Sequence, residues 1–192
     1  MTASPHWNDM KIKNISALLM IDQQKGIANS KLGLRNNENA ESEMLKLLSQ
    51  WRNLSWPIFH IKHRSSQIES VFWPNQEGFE FKTEFLPIEN EIVIEKKTSC
   101  AFAGTNLEIL LKERGLTSIV VIGASTSNSV ETTVRNGSCK GFSIIVVENA
   151  CFAFEKIDYS GVQKTAEEVH AMSLANLEKE YALIVHSSKL KF

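Results

Sequence analysis

The chain has no excess of basic residues. Its 192 residues hold 21 Lys and Arg against 22 Asp and Glu, a formal net charge of −1. Phosphate backbones are bound through a positive surplus, so this balance argues against nucleic acid as the main partner. The runs KHR (62–64) and EKK (95–97) are too short to reverse that and read as solvated strand ends. Long apolar runs are missing too, and nothing approaches membrane-spanning length, so no membrane partner is expected. The opening MTASPHWNDMKIKN lacks the basic-then-apolar layout of a signal peptide. Cysteine is scarce. Cys100, Cys139 and Cys151 cannot all pair with one another and show no CxxC spacing, so the expectation is reduced thiols in a cytoplasm, each a small buried residue. Internal repeats, low-complexity tracts and linkers are absent as well, which leaves a single domain over residues 1–192.

What is present is an alternation of strand and helix signals. SALLMID (16–22) is a continuous apolar run of strand length that ends in an acid. Ala40, Met44, Leu47, Leu48 and Trp51 then recur three and four apart, the spacing of a buried helix face. PIFHIKH and EIVIEK read as the second and third strands, with Pro57 tolerable at a strand's first position. GTNLEILLKERGL reads as a helix with Thr105 as N-cap and Gly115 just past its end. TSIVVIG is a fourth strand, followed by a helix that Ser129 opens and that ends near 137–141. FSIIVVEN, AEEVHAMSLANLEKE and YALIVHS complete the series as strand, helix and strand. Strands alternating with helices predict a three-layer α/β/α, Rossmann-like fold around a six-stranded, mostly parallel sheet.

Such sheets bind small molecules beyond the carboxyl ends of their strands. That rule selects Asp22, the Lys62–Arg64 turn, the 96–102 segment and the 123–129 segment. The aromatic stretch from Arg64 to Asn90 is long for a plain connection, and such loops often shape a binding site.

In order and spacing, LLMIDQQ, EIVIEKKTSCAFAGTNLEILLKERGLTSIVVIGASTSNSVETTVRNGSCKGF and AEEVHAMSLANLEKEYALIV resemble the isochorismatase-like hydrolases, also called cysteine hydrolases. That family includes nicotinamidases and N-carbamoylsarcosine amidase. The resemblance runs from about Ile15 to the last strand. It implies a catalytic triad of Asp, Lys and Cys. The first two fall on Asp22 and Lys96, and the cysteine position falls on Ser129. It further implies a non-proline cis peptide between Ala124 and Ser125, and an oxyanion hole built from the backbone N–H groups of Ser125 and Ser129. The implied substrate is a small amide or carbamoyl compound, with no cofactor and a homo-oligomeric state, dimer or tetramer. The aromatics in nominal loops point the same way, as apolar surface needing cover.

In the family, a thiolate at a helix N-terminus is stabilised by unpaired backbone N–H groups and the helix dipole. The carboxylate takes the thiol proton and later passes it to the leaving amine, and the lysine holds the carboxylate in place. Serine fits this scheme poorly, because an alkanol ionises far less readily than a thiol of pKa near ~8.5 and Asp22 is a weak base for it. Three readings follow. One is a cysteine-hydrolase scaffold with a substituted nucleophile and impaired turnover. Another is a vinyl ether hydrolase of the isochorismatase type, which protonates its substrate from the Asp and needs no thiol. The last is a binding protein that kept the pocket.

Nicotinamidases hold a divalent ion through Asp and several His, but the D-x-H run is missing here. His60 and His63 are three apart on a strand, which puts their rings on opposite faces, so no metal is expected. Lys97 reads as a solvated neighbour of Lys96 on the other face of its strand, and His170 as a packed or capping residue. Phe72, Trp73 and Phe154 are candidate pocket walls. Gln24 is placed near the substrate by resemblance.

Overall fold

The computed structural model describes residues 10–12 and 14–192. Most of the opening segment read against a signal-peptide layout, residues 1–9 and 13, lies outside them. The central sheet consists of β1 (Ala17–Ile21), β2 (Ile58–His63), β3 (Ile92–Lys96), β4 (Ser118–Ala124), β5 (Ser143–Phe152) and β6 (Leu183–Val185). Every pairing is parallel, in the order β3-β2-β1-β4-β5-β6. β1 is buried along its whole length, which is why its sequence is a continuous apolar run rather than an alternating one.

The sheet is covered on both faces. α1 (Ala40–Asn53) buries the five residues that the spacing selected, and they pack with Leu18, Met20 and Phe152. Trp51 also donates its indole N–H to the Ser16 carbonyl at 2.8 Å. On the other face α2 (Leu107–Glu113), α3 (Glu131–Cys139) and α4 (Ala166–Leu177) bring Leu107, Leu111, Val134 and Leu177 onto Leu19, Ile21 and Phe59. The Thr105 hydroxyl accepts the Leu107 N–H at 3.2 Å, so it caps α2 from two residues ahead of it. α4 opens with a reciprocal cap between Thr165 and Glu168. No helix among the described residues is long and apolar enough to cross a membrane.

The strand order reverses between β1 and β4, which opens a crevice at their carboxyl ends. There Ile21 is in register with Gly123, whose φ is 120°. A Cβ at Gly123 would overlap the Ile21 backbone, so only glycine lets the two strands approach this closely.

Several details depart from the sequence reading. β5 continues to Phe152, because an irregularity in its pairing with β4 carries it past polar Glu148 and Asn149. The helix expected to open at Ser129 opens earlier, as a wide turn over Thr126–Val130 in which the Val130 N–H reaches the Ser125 carbonyl at 3.1 Å. Lys62 is no solvated strand end: it is buried, with its ammonium 3.7 Å from the centre of the Phe79 ring. Cys100 and Cys151 are buried as expected but Cys139 is exposed, since it sits on the last turn of α3 facing outward. The loop aromatics Phe79, Phe81 and Phe85 are buried within the chain itself, so they are not the uncovered surface they were taken to signal. Exposed apolar side chains include the aliphatic Ile68, Leu86 and Ile88 of the same loop, and Ile157, Tyr159, Val162 and Met172 around the start of α4.

Candidate active site

Asp22 follows β1 directly, with φ of 54°, a left-handed conformation that aspartate tolerates better than most side chains. Its N–H bonds to the Ile61 carbonyl at 2.9 Å, which holds the turn against β2. Lys96 is the last residue of β3. Strand alternation sends Ile94 and Lys96 inward and Glu95 outward, where Arg64 pairs with it at 2.7 Å. Lys97 is exposed, as expected. Ser129 lies in the wide turn ahead of α3. The Ala124–Ser125 peptide bond just before that turn is cis.

These elements bring three buried side chains together. Lys96 Nζ is 2.8 Å from Asp22 Oδ2 and 3.1 Å from Ser129 Oγ. A third neighbour is His63 Nδ1, at 3.4 Å. Burial holds the His63 imidazole below its usual pKa, and the Lys96 cation adds to the effect. Asp22 Oδ1 has no hydrogen-bond partner among the described residues. A buried carboxylate oxygen without a partner is costly unless a reaction or ligand uses it.

Two supports fix the turn. The Thr126 hydroxyl meets His170 Nδ1 at 2.8 Å, and His170 Nε2 lies 3.4 Å from the Asn37 amide nitrogen. The Asn37 amide also donates to the carbonyls of Glu148 (3.2 Å) and Cys151 (2.7 Å), which ties the histidine to the end of β5. His170 is therefore a packed residue, as read, and it acts as a brace. From the other side the Ala101 N–H donates to Thr133 Oγ1 at 3.0 Å, which fastens the loop after β3 to α3.

Asp22, His63, Ser99, Asn128 and Ser129 open onto a cavity of about 370 Å³, closed by Phe72 and the 67–71 segment with Lys31 and Leu32 at its rim. The His63 and Phe72 rings meet edge to face at 5.7 Å. Phe72 is thus a wall residue as predicted, but Trp73, Phe154 and Gln24 are not among the residues lining the cavity. Phe154 packs on Phe152 instead. Gln24 is fully buried, and its amide is consumed by backbone: it accepts the His63 N–H at 2.7 Å and donates to the carbonyls of His63 (3.0 Å) and Phe79 (2.9 Å). It is a clamp on the 64–90 loop.

His63, Ser99 and Asn128 line the cavity within the strand-end segments that the sequence selected, although none of the three was singled out as a site residue. For His63 a signal existed, because adjacent parallel strands ending in register put His63 opposite Lys96. A divalent ion does not suit these residues. His60 is turned to Glu91, with Nε2 to Oε2 at 2.8 Å, and His63 Nδ1 faces an ammonium. Among the described residues no group of three or more His, Cys, Asp or Glu side chains could hold one.

Comparison with known proteins finds relatives that cover most of the chain. The family model described as the isochorismatase domain matches residues 16–188. A Bacillus subtilis protein named for the isochorismatase family, YrdC, is 36% identical over 91% of this chain and 93% of its own. The secreted isochorismatase effector Isc1 of Verticillium dahliae is 30% identical over 91% and 90%. Nicotinamidase 3 of Arabidopsis thaliana is 28% identical over 92% and 87%. Among solved structures, a hydrolase ascribed to the isochorismatase family from Chromobacterium violaceum superposes with a TM-score of 0.91 at 42% identity, covering 94% of both chains.

Proposed function

The chain belongs to the isochorismatase family of hydrolases, and on that premise we propose that it cleaves the C–N bond of a small amide or carbamoyl compound. Ser129 Oγ attacks the carbonyl carbon, the amine leaves, and water releases the acid from the resulting ester. Asp22 and Lys96 serve this attack, and the backbone N–H groups of Ser125 and Ser129 face the oxyanion. The observation that carries the reading is the contact of one buried ammonium with both Asp22 and Ser129 at the floor of the cavity. Oxygen in place of sulfur lowers the rate without removing the pocket. The test is release of ammonia or amine from a panel of small amides by this protein and by Ser129→Cys, and no turnover by either form would overturn it.

A second reading, vinyl ether hydrolysis of the isochorismatase type, is favoured by the absence of a thiol at position 129 and by the unpartnered Asp22 Oδ1. Pyruvate release from isochorismate separates it from the amidase. Tight retention of a ligand without turnover of either substrate would mark a binding protein. Three unpaired thiols support a reducing compartment such as the cytoplasm. The exposed Ile157, Tyr159, Val162 and Met172 support self-association of this single-domain chain, which a monomeric sedimentation profile at micromolar concentration would refute.

A further inference from the structure

Among the described residues Ser129 Oγ has one hydrogen-bonding neighbour, Lys96 Nζ at 3.1 Å, and no hydrogen bond joins it to Asp22. An ammonium has three donors and no acceptor, so Lys96 takes a proton only after giving one up. Two acceptors face it, Asp22 Oδ2 at 2.8 Å and His63 Nδ1 at 3.4 Å. Opposite an ammonium, Nδ1 must present its lone pair, which leaves the imidazole proton on Nε2. His63 ends β2 in register with Lys96, is held edge-on by Phe72, and lines the cavity.

We propose that His63, acting through Lys96, receives the proton of Ser129 as the serine attacks its substrate. An N–H bond of Lys96 breaks as one forms on His63 Nδ1. The freed lone pair on Nζ then takes the hydroxyl proton while Oγ bonds to the carbonyl carbon. Lys96 ends as an ammonium and His63 as an imidazolium. The reverse transfer supplies the proton to the departing nitrogen when the C–N bond breaks. The gain over a carboxylate is basicity: free imidazole is the stronger base by roughly 2–3 pKa units, a margin that burial and the Lys96 cation reduce here, and a hydroxyl needs it more than a thiol does.

The surroundings suit this role. Burial and the Lys96 cation keep His63 neutral and ready to accept at pH 7, while Asp22 and the Thr98 backbone favour the protonated form once the proton arrives. The remaining charged groups around the cavity are Lys31 and Glu69.

The inference rests on the amide-hydrolysis reading, and the experiment separates the two. Amide turnover is followed against pH for this protein, His63→Gln, Ser129→Cys and the double variant, with His63→Asn as the second substitution if the glutamine form does not fold. The relay predicts that kcat/KM of the serine form falls as pH drops through a range below that of free imidazole, because burial and the Lys96 cation lower the His63 pKa. It also predicts that His63→Gln costs about 10²-fold or more and erases that acid limb. The loss in the serine form should exceed the loss in the cysteine form by at least about 10-fold, because a thiol depends less on the added basicity. An acid limb that survives His63→Gln, or equal losses in the two forms, overturns the relay. Turnover by the cysteine form alone overturns the relay and leaves the amide reading standing, whereas turnover by neither overturns both.

Discussion

The hydroxyl of Ser129 rests on the ammonium of Lys96, 3.1 Å away, and makes no hydrogen bond to the carboxylate of Asp22. The lysine therefore stands between hydroxyl and carboxylate. Any proton leaving Ser129 in this arrangement meets Lys96 first, and the remaining properties of the site follow from how that buried cation is held.

Ser129→Cys should raise amide turnover by roughly 10²- to 10⁴-fold, the span that an activated nucleophile and its base commonly cover. Asp22→Asn in the cysteine background should abolish the gain by removing the proton acceptor. Turnover assays read both effects, and mass spectrometry should find an acyl adduct on residue 129.

Lys96→Met should cost about 3–5 kcal/mol of folding stability at neutral pH, because it strands the buried Asp22 carboxylate. The double variant Lys96→Met with Asp22→Leu should recover part of the loss, since two apolar groups replace the pair. Urea unfolding of the single and double variants measures the coupling.

Gln24→Leu leaves the His63 N–H and the carbonyls of His63 and Phe79 without their side-chain partner. The expected cost is about 2–4 kcal/mol. KM for an amide substrate should also rise, because the loop over the cavity loses its clamp. An unchanged melting temperature with only KM altered would instead mark Gln24 as a direct substrate contact.

Burial, with the Glu167 charge adding to it, pushes the Glu148 carboxyl up to about 7. A carboxyl raised in the folded state lowers stability as pH climbs from the unfolded value, near 4.5, through 7, and the full cost is present above that. Glu148→Gln should stabilise the protein by about 1–3 kcal/mol at pH ~8 and have little effect at pH ~4. Chemical denaturation at the two pH values checks the sign.

Glu41 behaves in the opposite way. Its burial opposes ionisation, but Arg35 and Lys82 outweigh that and bring the carboxyl down to about 2. The stabilisation is complete above the unfolded value, near 4.5, and is lost as pH falls through 2. Glu41→Gln should cost on the order of 2 kcal/mol at pH ~7 and flatten the acid limb of stability, read by urea melts down to pH ~2.

The strands were legible because a parallel sheet buried on both faces demands unbroken apolar runs, and SALLMID and SIVVIG are such runs. α1 was legible because its buried stripe repeats three and four apart. The end of β5 was not, since an irregular pairing takes in polar residues that look like a turn. Nor was the wide turn at 126–130, whose hydrogen bonding depends on the backbone around Ser125 rather than on side-chain type. Within the site, family resemblance brought out Asp22, Lys96 and Ser129. It offered Gln24 as a substrate contact, whereas the Gln24 amide bonds to the backbone at His63 and Phe79. His63 was weighed only as a metal ligand, and its contact with Lys96 depends on strand register across 33 residues of sequence.

The clamp made by Gln24 separates two kinds of heritable change. Asp22, His63 and Lys96 stand at strand ends, whereas the outer wall of the cavity comes from the short stretch 67–72. Because Gln24 pins both flanks of that stretch, at His63 and at Phe79, side chains between them can be exchanged without shifting the pins. A lineage carrying this protein can therefore revise which compound is admitted through a handful of mutations, and keep the reaction it performs.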